Sequence, residues 1–158
     1  MLTAIALGSN LPSRFGPPEA NLREALARLG QLGAVMAVSS FYATDPVGYL
    51  DQPKFVNAAA LLETDLGPLD LLHALLSIEQ AMGRDRLHAP PKGPRVIDLD
   101  LLLYINSSSS LVLDDPELIL PHPAMHERRF VLQPLAEIAP NLLHPTTGLT
   151  VAELLARL

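Results

Sequence analysis

The sequence predicts an α+β domain, a ferredoxin-like antiparallel sheet with a βαββαβ core, helices packed on one face and a C-terminal helical extension. Short apolar runs and longer amphipathic stretches follow one another in the order strand, helix, strand, strand, helix, strand. Clusters of glycine and proline separate them, so each periodic segment has a visible end. At 158 residues and 49% hydrophobic composition the chain can fill one sizeable core, and a single domain over residues 1–158 is expected.

Leu2 to Leu7 reads as a short apolar strand that Gly8-Ser9-Asn10-Leu11-Pro12 stops with a turn. The apolar spacing of Leu22, Ala25, Leu26 and Leu29 predicts a helix, with Asn21 placed to cap it. Ala34 to Thr44, rich in Val, Ser, Phe and Tyr, reads as one strand, and residues 45–53 as a loop longer than a usual hairpin connection. Phe55 to Glu63 resumes an extended pattern. Pro68 to Met82 is an amphipathic helix with proline in its first turn and Gly83 at its end. A basic, proline-punctuated loop runs from Arg84 to Arg95 and delivers its cations to the start of an apolar strand, Gly93 to Tyr104. Residues 107–110 read as a mobile serine turn, Leu111 to Leu113 as a short edge strand, Phe130 to Ala139 as a helix interrupted or started near Pro134, and Val151 to Leu158 as a terminal helix.

Composition narrows the function. With no cysteine there is neither a disulfide framework nor a thiolate nucleophile. The N-terminus carries no basic leader and no stretch approaches the ~20 apolar residues that span a bilayer, so a soluble, cytoplasmic protein is expected. The net charge of −6 argues against a nucleic-acid surface. Yet six of the 11 basic residues, Arg84, Arg86, Lys92, Arg95, Arg128 and Arg129, fall in two short stretches, which suggests a small polyanionic ligand.

Two carboxylates sit inside the strand that the basic loop feeds. Side chains alternate along a strand, so Asp98 and Asp100 share a face, roughly 7 Å apart at their Cα atoms, while Ile97, Leu99 and Leu101 take the other. Such a pair raises its own pKa values unless a cation accepts both, and a hard divalent ion such as magnesium suits it. Removal of either aspartate is then expected to relieve repulsion. Taken alone, a D-x-D pair reads better as two solvated aspartates at a strand's entrance.

Taken together, Ala6-Leu7-Gly8-Ser9-Asn10-Leu11, Ser39-Ser40-Phe41-Tyr42 with Thr44, Asp51-Gln52-Pro53 with Phe55-Val56-Asn57-Ala58-Ala59, Ile78-Glu79 with Gly83-Arg84, Gly93-Pro94-Arg95 with Asp98-Leu99-Asp100, and Pro121-His122-Pro123 with Arg128, Phe130 and Glu137-Ile138-Ala139-Pro140 resemble the 6-hydroxymethyl-7,8-dihydropterin pyrophosphokinase family. The resemblance implies a folate-pathway enzyme that moves a pyrophosphoryl group from ATP to a pterin alcohol and releases AMP. It implies that Asp98 and Asp100 hold two magnesium ions. Glu79, Arg84, Arg86, Arg95, Val96, His122 and Arg128 would serve the nucleotide, and Thr44, Asp45, Pro46, Val47, Phe55, Asn57 and Phe130 the pterin. Arg84, Lys92 and Arg95, with the two aspartates, would carry the catalysis. A monomer acting on small molecules, without nucleic-acid or membrane partners, is the matching expectation.

The residues themselves accord with those roles. A flat bicyclic ring wants aromatic faces, and an Asn in an apolar strand needs partners for its amide. With no cysteine and no Ser/His/Asp set in view, the nucleophile would be the substrate's own oxygen. This chain departs from the family at Pro90-Pro91-Lys92, where many members carry an arginine and an aromatic or amide residue; Lys92 would bring a point charge in place of a guanidinium fork. The rivals are another two-metal enzyme of palm-like type, which would not need a pterin, and a non-catalytic ferredoxin-like module. RNA binding by the latter is disfavoured by 4% aromatic residues and a pI near 5.2.

Overall fold

The computed structural model describes residues 1–84 and 93–158. In chain order the elements are β1 (Leu2–Ser9), α1 (Pro18–Leu29), β2 (Ala34–Val38), β3 (Tyr42–Thr44), β4 (Phe55–Glu63), α2 (Pro68–Ala81), β5 (Asp98–Asn106), the short strands β6 (Ser109–Ser110), β7 (Leu113–Asp114) and β8 (Ile119–Leu120), then α3 (Arg129–Ile138) and α4 (Val151–Ala156). The main sheet runs β2-β4-β1-β5-β6, with β3 also on β4, and every pairing is antiparallel. With β2 and β3 counted as one interrupted strand, this is the expected βαββαβ connectivity. β1 lies at the centre, where it pairs on both edges, to β4 and to β5, and six of its eight residues are buried.

Both faces of the sheet are covered, whereas the sequence reading put helices on one. Alternating residues Ile5 and Leu7, Ala58, Ala60 and Leu62, and Leu99 and Leu101 meet Leu22, Ala25 and Leu29 of α1 and Leu71, Leu75 and Ile78 of α2. Ala4, Ala59, Leu102 and Leu103 meet Val131, Leu132 and Leu135 of α3 and Val151 and Leu154 of α4. A bulge between Ala4 and Ile5 lets β5 place Leu101 on one side and both Leu102 and Leu103 on the other. The C-terminal segment is therefore a third layer. Helix α3 runs straight through Pro134. The lost backbone bond costs about 3 kcal/mol, which burial of Val131, Leu132 and Leu135, each contributing about 1.5–3 kcal/mol, offsets.

Other expectations shift by local chemistry. The stretch Ala34–Thr44 is two strands, because four steps from Val38 to Tyr42 face three from Ala60 to Asn57. Strand β5 begins at Asp98 instead of Gly93, since Gly93-Pro94-Arg95 has no ladder partner. The serine turn closes a hairpin, with Ser109 and Ser110 paired to Asn106 and Ile105. The edge strand starts at Leu113, not Leu111, and pairs with β8.

Asn21 caps nothing. The helix begins three residues earlier at Pro18, and Asn21 lies fully buried within it. Its Nδ2 donates to Leu11 O at 2.8 Å and to Ser9 Oγ at 3.2 Å, and its Oδ1 accepts from the Ser13 hydroxyl. This amide holds the end of β1 against α1. Asn21→Ala leaves those groups unpaired and is expected to cost about 1–3 kcal/mol; urea unfolding should show a lower midpoint with an unchanged slope.

Candidate active site

The open ends of β1, β4 and β5 converge at one pocket, lined by Gly8, Thr44, Asp45, Val47, Phe55, Asn57, Arg95, Asp98, Asp100, Arg128 and Phe130. Its floor follows from register. Gly8 sits opposite Asn57 on one side and Asp98 on the other, and Ala6 sits between Ala59 and Asp100. Gly8, with no side chain, leaves the space that the flanking amide and carboxylates face. A Cβ on Gly8 would lie 2.8 Å from Asn57 Oδ1, so this close approach requires glycine.

Asp98 and Asp100 share the pocket face as expected, but their surroundings differ. Asp98 Oδ1 accepts from Arg84 Nη1 at 2.7 Å and Oδ2 from Arg95 Nη1 at 3.0 Å. Arg84 Nη1 donates also to Glu79 Oε2 at 2.7 Å, and the same Glu79 oxygen accepts the Leu99 N–H at 2.7 Å. Glu79 is only 1% exposed, so its charge rests on these partners. Burial works against the Arg84 cation, but the charges of Asp98 and Glu79 outweigh it and raise its pKa.

Asp100 has no such compensation: among the described residues no hydrogen-bond donor reaches its carboxylate. Burial, then the charges of Asp98 and Glu79, push its pKa up to about 7 against the pull of Arg128 and Arg84. Removing Asp100 therefore relieves repulsion, whereas removing Asp98 strips two arginines of a partner, so the expected equivalence of the two aspartates does not hold. Among the described residues Asp100 is the carboxylate of the pair left without a hydrogen-bonded cation, and it fits a hard divalent ion that takes one or two carboxylates and completes its shell with water and phosphate.

On the opposite wall Asn57, 8% exposed, donates from Nδ2 to the Thr44 hydroxyl. Two rings flank the pocket, each beside a cation: Arg95 Cζ lies 5.6 Å from the Phe55 centroid and Arg128 Cζ 5.6 Å from that of Phe130. Arg128 and Phe130 arrive together because α3 starts between them. Pro46 is not part of this lining.

Asp100 also lines a second, open groove of about 460 Å³ with Leu72, Leu76, Leu118, Ile119, His122 and neighbours. Burial and then the Arg128 cation lower the His122 pKa, and its Nδ1 accepts the Ala124 N–H at 3.2 Å, which leaves Nε2–H as a donor. Three nucleotide candidates line neither cavity: Glu79 and Arg84, which form an ion pair, and Val96, packed against the core. Arg86 and Lys92 lie outside the described residues.

Sequence reasoning missed Asn10, taken as a turn residue. It is 2% exposed, exchanges bonds with Arg95 (Arg95 N to Asn10 Oδ1 at 2.9 Å, Asn10 N to Arg95 O at 3.1 Å), and donates from Nδ2 to Gln52 Oε1 at 2.9 Å and Pro53 O at 3.0 Å. One amide thus pins Arg95 and the end of the 45–53 loop to β1. Its signal was a polar residue immediately after an apolar strand, which a simple turn also provides.

Residues 4–140 match the family model described as 7,8-dihydro-6-hydroxymethylpterin-pyrophosphokinase. The chain is 48% identical over 136 residues to the 2-amino-4-hydroxy-6-hydroxymethyldihydropteridine pyrophosphokinase of Bacillus subtilis, covering 85% of this chain and 75% of that protein. It is 47% identical over 152 residues to the protein of the same name from Pseudomonas aeruginosa, covering 96% and 88%. Against the folic acid synthesis protein fol1 of Schizosaccharomyces pombe the identity is 39% over 156 residues, 98% of this chain but 20% of that one. Among solved structures, an HPPK-DHPS crystal structure in complex with substrates superposes with a TM-score of 0.70 at 14% identity, covering 99% of this chain and 43% of that chain. Wild-type HPPK-DHPS of Plasmodium falciparum gives 0.68 at 16%, covering 99% and 41%. These structures support the fold, and the chain spans about two fifths of their length.

The contrast between the aspartates is testable by stability. Asp100 has a folded pKa of about 7 against 3.8 as its ordinary value, so the folded state holds a proton that the unfolded chain releases in between. Stability therefore falls as pH rises through that window and the contribution is gone above it. Asp100→Asn removes the charge, and in a divalent-free buffer it should gain on the order of 2 kcal/mol over wild type between pH 5 and pH 8. Urea midpoints at several pH values are the measurement; parallel curves for the two proteins would contradict the assignment.

Proposed function

The chain belongs to the 7,8-dihydro-6-hydroxymethylpterin-pyrophosphokinase family, pyrophosphokinases of folate biosynthesis, and we propose that it performs this transfer in the two-aspartate pocket, from ATP to the hydroxymethyl oxygen of 6-hydroxymethyl-7,8-dihydropterin. The observation that carries the site assignment is the position of Asp100, which lines both the aromatic pocket of Asn57 and the apolar groove of His122. A reaction between two ligands needs two cavities that meet at the reacting atoms.

The pterin lies between Phe55 and Phe130 with its amide edge at Asn57. Thr44 holds one amide hydrogen of Asn57, which leaves the carbonyl oxygen and the other hydrogen for the ring. Asp45 and Val47 close this side, and Pro46 between them shapes the loop that carries both. The nucleotide base occupies the groove of Leu72, Leu76, Ile119 and His122, and its phosphates run toward Asp100. Asp98 and Asp100 would hold two magnesium ions, which when bound would neutralise charge on the transferring phosphates. Arg84 and Arg95, at the start of β5, and Arg128, at the start of α3, are the guanidinium groups that would meet the phosphate oxygens. Glu79 acts by holding Arg84, and Val96 by seating Arg95 next to it. Arg86 and Lys92 add charge from the basic loop.

The pterin oxygen attacks the β-phosphorus, the bond from that phosphorus to the α-phosphate oxygen breaks, and AMP leaves. The hydroxyl proton passes to Asp98. Positioning and cationic neutralisation carry most of the rate. The same reading makes residues 1–158 one pyrophosphokinase domain, acting as a cytoplasmic monomer; among the described residues no helix is long and apolar enough to cross a membrane.

Incubation with ATP, the dihydropterin and magnesium should give AMP and not ADP. Asp98→Ala and Asp100→Ala should each lower the AMP rate by about a thousandfold or more, and retained activity in either would remove the metal assignment. Asn57→Ala should weaken pterin binding about tenfold or more and leave a non-hydrolysable ATP analogue nearly unaffected. Calorimetry with each ligand decides it, since equal weakening of both would indicate a folding defect.

A further inference from the structure

Strand β3 reaches the pocket only by way of an irregularity. From Val38 to Tyr42 the chain takes four steps while its partner takes three from Ala60 to Asn57, so one residue is left over between β2 and β3. Such a bulge leaves a backbone N–H without a ladder partner. Ser39 rejoins the ladder, with its N–H donating to Ala59 O at 2.9 Å and its hydroxyl accepting the Ala59 N–H at 2.9 Å. Ser40 does not. Its N–H donates instead to the carboxylate of Glu137, at 2.9 Å to Oε2 and 3.1 Å to Oε1. The Ser40 hydroxyl donates to Oε2 at 3.1 Å, and the Tyr42 hydroxyl donates to Oε1.

Glu137 stands on α3 seven residues after Phe130, two helical turns along the same stripe. One end of α3 thus supplies a pocket ring while the other grips the strand that faces it. We propose that Glu137 is a positioning residue for the pterin half of the site: it fixes the bulge at Ser40, hence the register of β3, hence the Thr44 hydroxyl that orients Asn57. The inference rests on the assignment of the Asn57 pocket to the pterin.

Register makes the effect all or none. Side chains on a strand alternate faces, so a slip of one residue turns Thr44 out of the pocket and deprives Asn57 Nδ2 of its acceptor. Short strands hold register weakly by themselves, and β3 has three residues. Hydrogen bonds from Tyr42 and Ser40 hold the Glu137 carboxyl below the usual carboxylate range, so it remains an acceptor at neutral pH. Neither Glu137 nor Ser40 lines the pocket.

The test uses three variants and four readouts. Glu137→Ala should raise the Kd for 6-hydroxymethylpterin, measured with a non-hydrolysable ATP analogue present, by about tenfold or more. The Kd of the analogue alone should stay within about twofold, and kcat at saturating dihydropterin within about threefold while KM rises. Glu137→Gln keeps an oxygen for the Ser40 N–H and should restore most of the affinity. Amide exchange at Ser40 should accelerate in Glu137→Ala and recover in Glu137→Gln. Asn57→Ala is the control. If it weakens pterin binding and Glu137→Ala does not, the positioning role is overturned and the pocket assignment stands. If neither weakens it, both fall. Equal weakening of both ligands by Glu137→Ala, or no recovery with Gln, also overturns the proposal.

Discussion

The buried ion network at the mouth of β5 is the constraint that the rest of this molecule serves. A carboxylate removed from water costs several kcal/mol unless charge and hydrogen bonds replace its hydration. Glu79 meets that condition with the Leu99 N–H and Arg84, both at 2.7 Å, and so ties α2 to the first turn of the aspartate strand. Arg84 passes the compensation on to Asp98, and Arg95 completes it. The series ends at Asp100, which among the described residues accepts no hydrogen bond and feels Arg128 and Arg84 only at a distance. The uncompensated charge is thus concentrated at one carboxylate that lines two cavities.

Much of this was legible from residues alone. The apolar run around Asp98 and Asp100, the amphipathic spacing of Pro68–Ala81 and the isolated Asn57 each carry a local physical signature, and each lies where that signature indicates. What escaped depends on partners far away in sequence. Asn21 has the chemistry of a cap, but proline at Pro18 starts the helix first and turns the amide inward to Ser9 and Leu11. Glu79 has the look of a ligand to nucleotide, yet its 1% exposure makes it a support for Arg84. The third layer was hidden because Leu102 and Leu103 sit side by side across a bulge, which breaks the alternation that would reveal a second buried face.

The bulges also show why the β2–β3 region resists sequence reading. Ala34–Thr44 has one continuous strand-like composition, and nothing in it marks the residue left over at Ser39–Phe41. That residue is accommodated by a carboxylate almost a hundred positions later, on a helix whose own packing is set by Val131, Leu132 and Leu135. Register here is a tertiary property.

The glycine floor has a consequence for inhibition. A compound that reaches down to the backbone at Gly8 rests on peptide atoms, and resistance by substitution there is obstructed: any side chain at residue 8 meets Asn57 Oδ1 at 2.8 Å, and Asn57 is itself held by Thr44. A drug that spends its contacts on this floor and few on the exposed loop at Val47, Tyr49 and Leu50 leaves the target little room to mutate without disabling itself.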